Sequence, residues 1–172
     1  MALQGGEADA ASRKEYLEIH TPLYVILSDF FVALAMSPSP AMDRRVRILI
    51  ADDHAVIRET VRSTLERYPR FEVCGEAEDG FKAIQEAHRL KPDVVVLNVS
   101  MPVLNGFEAA REIKASLPES AIVILSSSID QRFIEEAKKI GARAYVAKTR
   151  TGEALVKAIE AAVTSGDFVL LE

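Results

Sequence analysis

The sequence offers one cysteine, Cys74, in 172 residues. That excludes an internal disulfide and any metal site built from several thiolates. Cys74 stands in "FEVCGEA", where a small buried strand residue is expected rather than a reactive thiol. So little cysteine fits a reducing, cytoplasmic setting. Positive charge is not in excess either. The formal net charge is -5, which argues against nucleic acid as the main partner, because phosphate binding needs a basic patch. The three histidines, His20, His54 and His88, lack metal-ligand spacing. No Walker loop, dinucleotide glycine fingerprint or Ser-His-Asp arrangement occurs. Long apolar runs are missing too. One apolar stretch, Leu23 to Met36, is interrupted by Asp29 and is shorter than the roughly 20 residues of a spanning helix. Arg13 and Lys14 before it and "VALA" at its end resemble a signal peptide, but the internal Asp29 counts against that. No membrane association is therefore expected.

What the chain does contain begins after "SPSPAM", a Pro/Ser linker. Residues 1–41 read as an N-terminal extension, partly disordered with one apolar segment, and residues 42–172 as the domain. Strand-like runs recur at residues 46–51, 71–77, 93–98, 121–126 and 143–147. Amphipathic, helix-like stretches alternate with them at 54–68, 80–90, 106–116, 130–140 and 152–166. Phe81, Ile84 and His88 lie near one face of the second. The run "DVVVLN" is apolar without alternation, so burial on both faces is expected. Strict alternation with short loops predicts parallel strands and right-handed crossovers. The expected fold is a three-layer α/β sandwich around a central five-stranded parallel sheet. Beyond Gly166 only "DFVLLE" remains, too little for a helix-turn-helix reader.

In such folds the ligand site lies beyond the carboxyl ends of the strands. Strand one ends in Asp52 and Asp53, strand three in Asn98, strand four in Ser126 and strand five in Lys148. Two carboxylates, an amide, a hydroxyl and an ammonium therefore meet at one rim. Adjacent carboxylates need a cation, because like charges in partial burial raise each other's pKa. Oxygen donors favour Mg²⁺, and a hydroxyl and a lysine suit the oxygens of a phosphoryl group.

Residues 46 to about 166 resemble a response-regulator receiver domain of bacterial two-component signalling. The matching stretches are "ILIADDH", "DVVVLNVSMPVLNG", "VILSSS" and "GARAYVAKT". The resemblance implies the flavodoxin-like (βα)5 fold. It implies that Asp52 and Asp53 bind Mg²⁺, with Asp53 the more direct ligand and the Ser100 backbone carbonyl a third. It implies that Lys148 pairs with the phosphoryl group, that Ser126 is the switch hydroxyl and that Tyr145 changes rotamer with it. Pro102 and Gly106 match the loop and turn after strand three. Asn98 falls where the family has its phospho-accepting aspartate, and that is the departure. An amide has the carboxylate's shape without its charge, and its nitrogen lone pair is delocalised, so it is a poor nucleophile toward phosphorus. Mg²⁺ binding is then expected to be weaker. The expected function is a stand-alone receiver, not an enzyme, in a phosphorelay, with a sensor histidine kinase or another signalling protein as partner. A homodimer through the face of helix four, strand five and helix five is a further expectation. Two alternatives are a structural pseudo-receiver that self-associates and a receiver fragment of a longer DNA-binding regulator.

Overall fold

In the computed structural model, residues 44–165 and 167–172 are described; the readings made for residues 1–41 lie outside them. Six strands form one parallel sheet in the order β2-β1-β3-β4-β5-β6. They are β1 (Val46–Ala51), β2 (Phe71–Ala77), β3 (Val94–Asn98), β4 (Ala121–Ser126), β5 (Ala144–Ala147) and β6 (Val169–Leu171). The helices between them are α1 (Ala55–Leu65), α2 (Gly80–Leu90), α3 (Gly106–Ser116), α4 (Gln131–Ile140) and α5 (Glu153–Thr164). Five βα units were expected and are present. The sixth strand corrects the five-stranded expectation: part of "DFVLLE" adds to the free edge of β5.

The central strands carry no alternation because both faces are covered. Every residue of β3 and β4 is buried. Leu49, Val95, Leu97, Ile122 and Ile124 point to the side of α2, α3 and α4. Ile48, Ile50, Val94, Val96, Val123 and Leu125 point to the side of α1 and α5. Two apolar cores thus clamp one sheet, and each buried aliphatic side chain contributes about 1.5–3 kcal/mol. In α2 the inward face is Ala83 and Ala87, whereas Phe81 is exposed and so is His88. The small residues let α2 lie close on the sheet, with Ile84 packed against the same core.

Local signals set the helix starts that aim the rim. Asn105 caps α3 by accepting from the Glu108 amide at 3.0 Å, and Glu108 returns a bond to the Asn105 amide at 3.1 Å. This reciprocal capping box begins α3 right after the β3 loop. Gly106 then packs directly against the end of β3. A Cβ there would lie 1.9 Å from the Asn98 carbonyl oxygen, and its amide donates to Val99 O at 2.8 Å. Only a residue without a side chain lets the helix approach this strand so closely.

Candidate functional site

The carboxyl ends of β1, β3, β4 and β5 bring Asp52, Asp53, Asn98, Ser126 and Lys148 to one rim, as parallel pairing of these strands requires. Asp52 is 1 % exposed. Its Oδ2 lies 2.6 Å from Lys148 Nζ, although the approach leaves Oδ2 without a directed hydrogen bond. At that distance, with both groups largely buried, charge holds the pair together. Asp52 Oδ1 accepts the His54 amide at 2.9 Å, which fixes the start of α1.

Asp53 reaches outward from the same turn. His54 Nδ1 is 2.9 Å from its Oδ1. Asn98 Nδ2 donates to that same Oδ1 at 2.9 Å and to the Ser100 carbonyl oxygen at 2.7 Å. Both amide protons are therefore spent on two oxygens that face one another. The reverse orientation of the amide would set Asn98 Oδ1 against two acceptors, so the donor arrangement is the satisfied one. Burial lifts the Asp53 carboxyl, but its own backbone, His54 and Asn98 donate to it and His54 adds charge, and together they hold it below the usual carboxylate value.

The donor set suits a small hard cation. Asp52, Asp53 and the Ser100 carbonyl supply oxygens only, and ligand atoms of Asp52, Asp53 and His54 lie within 4.8 Å of one another. Asn98 stands among them as a neutral donor, and a cation entering here has to displace its NH₂ group from Asp53 and Ser100.

Ser126 and Tyr145 lie one strand further on. Ser126 is buried, and its Oγ accepts the Ser128 amide at 3.1 Å. Tyr145 is 0 % exposed, with its ring in the α4-side core, and its hydroxyl donates to Ser128 O at 2.6 Å. Burial raises the Tyr145 phenol above its ordinary value, partly offset by its hydrogen bond with Ser126. Both side chains therefore hold the same β4–α4 loop.

Sequence reasoning missed a layer beneath the rim. Arg58 Nη1 donates to the Asp52 carbonyl at 2.7 Å and its Nε to Glu76 at 3.0 Å. Arg62, one turn on, joins Glu76 at 2.6 Å. The i,i+4 arginines of α1 and Glu76 near the end of β2 were the available signal. Cys74 is half-buried rather than buried, with its thiol pushed up by burial. Among the described residues no helix is long and apolar enough to cross a membrane.

The family model for the response regulator receiver domain matches residues 48–160. The chain belongs to the response regulator receiver family. It is 32 % identical over 127 residues to the transcriptional regulatory protein DegU of Brevibacillus brevis, covering 74 % of this chain and 54 % of that protein. It is 35 % identical to the transcriptional regulatory protein LnrK of Bacillus subtilis, covering 73 % of this chain and 56 % of the relative. Among solved structures, a LuxR-family two-component response regulator from Aurantimonas sp. superposes with a TM-score of 0.69 at 34 % identity, covering 73 % of this chain and 89 % of that one. The chain spans just over half the length of these curated relatives. Receiver domains of two-component systems are signalling modules that work with histidine kinases and bind Mg²⁺ at an acidic pocket. The expected exclusion of nucleic acid finds no support here, since a further similar structure, at 25 % identity and TM-score 0.66, is titled a DNA-binding response regulator of the LuxR family from Staphylococcus aureus.

Proposed function

We propose that this receiver signals without phosphorylation at the usual position, and that Asn98 is the reason. The observation that carries the reading is the double hydrogen bond of Asn98 Nδ2 to Asp53 Oδ1 and to Ser100 O. In the reading drawn from the resemblance, Asp53 and Ser100 O are Mg²⁺ ligands and position 98 holds the attacking carboxylate. Here the amide supplies two partial positive charges to those same ligands. It acts as an internal stand-in for the cation and removes the nucleophile at the same time. Lys148 already offsets Asp52, so the rim is close to self-neutralised without metal. Mg²⁺, when bound, would supply charge neutralisation for a phosphoryl group, and Asp52, Asp53 and Ser100 O would hold it.

The output is contact with another signalling protein. Tyr145 buried and bonded to the β4–α4 loop supports one stable arrangement of that loop. A second reading is favoured by the relatives' names, which are those of transcriptional regulators: the domain would then govern a DNA-binding module in a longer protein, and the reading frame past Glu172 decides between the two. The test of the phosphorylation block is incubation with radiolabelled acetyl phosphate and Mg²⁺. No hydroxylamine-sensitive label is expected on the chain, and label is expected on the Asn98→Asp variant. Such label on the unmodified chain overturns the reading.

A further inference from the structure

The segment after α5 sits in a groove that the domain presents along the edge of β5. β6 pairs with β5 in parallel, with Ala144 opposite Val169, Tyr145 opposite Leu170 and Val146 opposite Leu171. The Val169 amide donates to the Arg143 carbonyl at 2.9 Å. Its side chains alternate across the sheet. Val169 and Leu171 pack into the core that holds Leu155, Val156 and Ile159 of α5. Phe168 packs on the opposite core, with Lys138 Nζ of α4 5.1 Å from its ring centroid. The segment thus lies between α4 and α5 and fills the face on which a homodimer was expected.

The attachment is slight. It has three ladder pairs, none of its residues is fully buried, and Leu170 is 38 % exposed. A strand this short holds through edge pairing and a few apolar contacts, and such segments open locally without the core. The groove nevertheless has defined requirements: an unpaired parallel edge, an apolar pocket toward α5 for alternate residues, and a cation above an aromatic on the α4 side. These are the elements of strand-addition recognition, in which main-chain bonds give affinity and alternate pockets give specificity.

We propose that the β5 edge between α4 and α5 is a strand-receiving site, and that its occupant is the Phe168–Leu171 segment, exchangeable between this chain's own copy and the same segment supplied in trans. An identical chain carries a matching strand by construction. A dimer through this face therefore requires the segment to leave or to be traded. This goes beyond the reading of Asn98 and does not depend on it.

The test uses the full chain with Val169→Asp and Leu171→Asp together, and a synthetic peptide of residues 166–172 as the probe. In ¹⁵N-labelled protein, the variant is expected to lose amide protection at Tyr145, whose N–H faces β6 because the Arg143 carbonyl does, while β3 and β4 stay protected. Adding the peptide is expected to restore that protection and to shift Tyr145, Val146 and Lys138. A folded variant that shows no shift with millimolar peptide overturns the proposal. If the variant fails to fold, hydrogen exchange of the unmodified chain decides. Amides 168–171 are expected to exchange at least about 10-fold faster than those of β4. Exchange of both only in global unfolding overturns it.

Discussion

Asn98 and Asp53 meet end on at the rim of the sheet, Nδ2 to Oδ1 at 2.9 Å. An aspartate at position 98 would set two carboxylates at that distance, and the pair would demand a proton or a cation. With the amide, one negative charge fewer stands there, and a donor bridges Asp53 Oδ1 and Ser100 O.

Val103 identifies a site of stored strain next to this rim. It has φ +66° and is 83 % exposed, so a β-branched residue holds a left-handed backbone with no packing in return. Such a conformation costs about 1–3 kcal/mol, and glycine carries an entropic cost of roughly 0.5–1 kcal/mol. Val103→Gly is expected to stabilise the domain by about 1 kcal/mol in urea unfolding, with an unchanged m value.

Gly106 and Gly152 form a matched pair of tests. A Cβ at Gly106 meets the Asn98 carbonyl oxygen at 1.9 Å, whereas one at Gly152 meets nothing within 4 Å. Gly106→Ala has to push α3 off β3 and is expected to destabilise by about 2–3 kcal/mol. Gly152→Ala is expected to stay within roughly 1 kcal/mol of the unmodified chain. Chemical denaturation of both checks the contrast.

Two carboxyls set an acid limb in stability. Burial lifts Glu76, but bonds from Arg62 and Arg58 outweigh it and hold the group below its ordinary 4.5; Asp53 is likewise held below 3.8. Groups with depressed folded values stabilise the protein fully above their unfolded values. That contribution is lost as pH falls through the folded ones. Stability is therefore expected to be flat above about pH 5 with respect to these groups, and to fall below 4.5 and further below 3.8. Glu76→Gln is expected to lower stability at neutral pH by about 1–2 kcal/mol and to flatten the upper part of that limb. Thermal melts across a pH series measure it.

Much of this was legible in the chain, and the exceptions have physical causes. "DVVVLN" announces a strand covered on both sides because it lacks alternation, and the strand ends then place Asp52, Asp53, Asn98 and Lys148 together by topology alone. β6 was missed because Val169–Leu171 is too short to show a period and gains its strand character only from the edge of β5. The inward face of α2 was not legible, because Phe81, the bulkiest apolar residue there, is the one left outside, while alanines do the packing. Strain at Val103 has no sequence signal, since a glycine would have been its marker. Arg58 reaches the Asp52 carbonyl through a side-chain conformation that composition does not specify. Even so, its partner Glu76 and its neighbour Arg62 were in view.

Whether the Asn98 amide takes the place of a cation at the rim is decided by a Mg²⁺ titration followed by ¹⁵N spectra of the unmodified chain and the Asn98→Asp variant. The unmodified chain is expected to hold its Asn98 side-chain amide protons protected without metal and to bind Mg²⁺ at least roughly 10-fold more weakly than the variant, as the loss of one close charge requires. Equal Mg²⁺ affinity in the two proteins, with unprotected Asn98 amide protons in the metal-free chain, would contradict it.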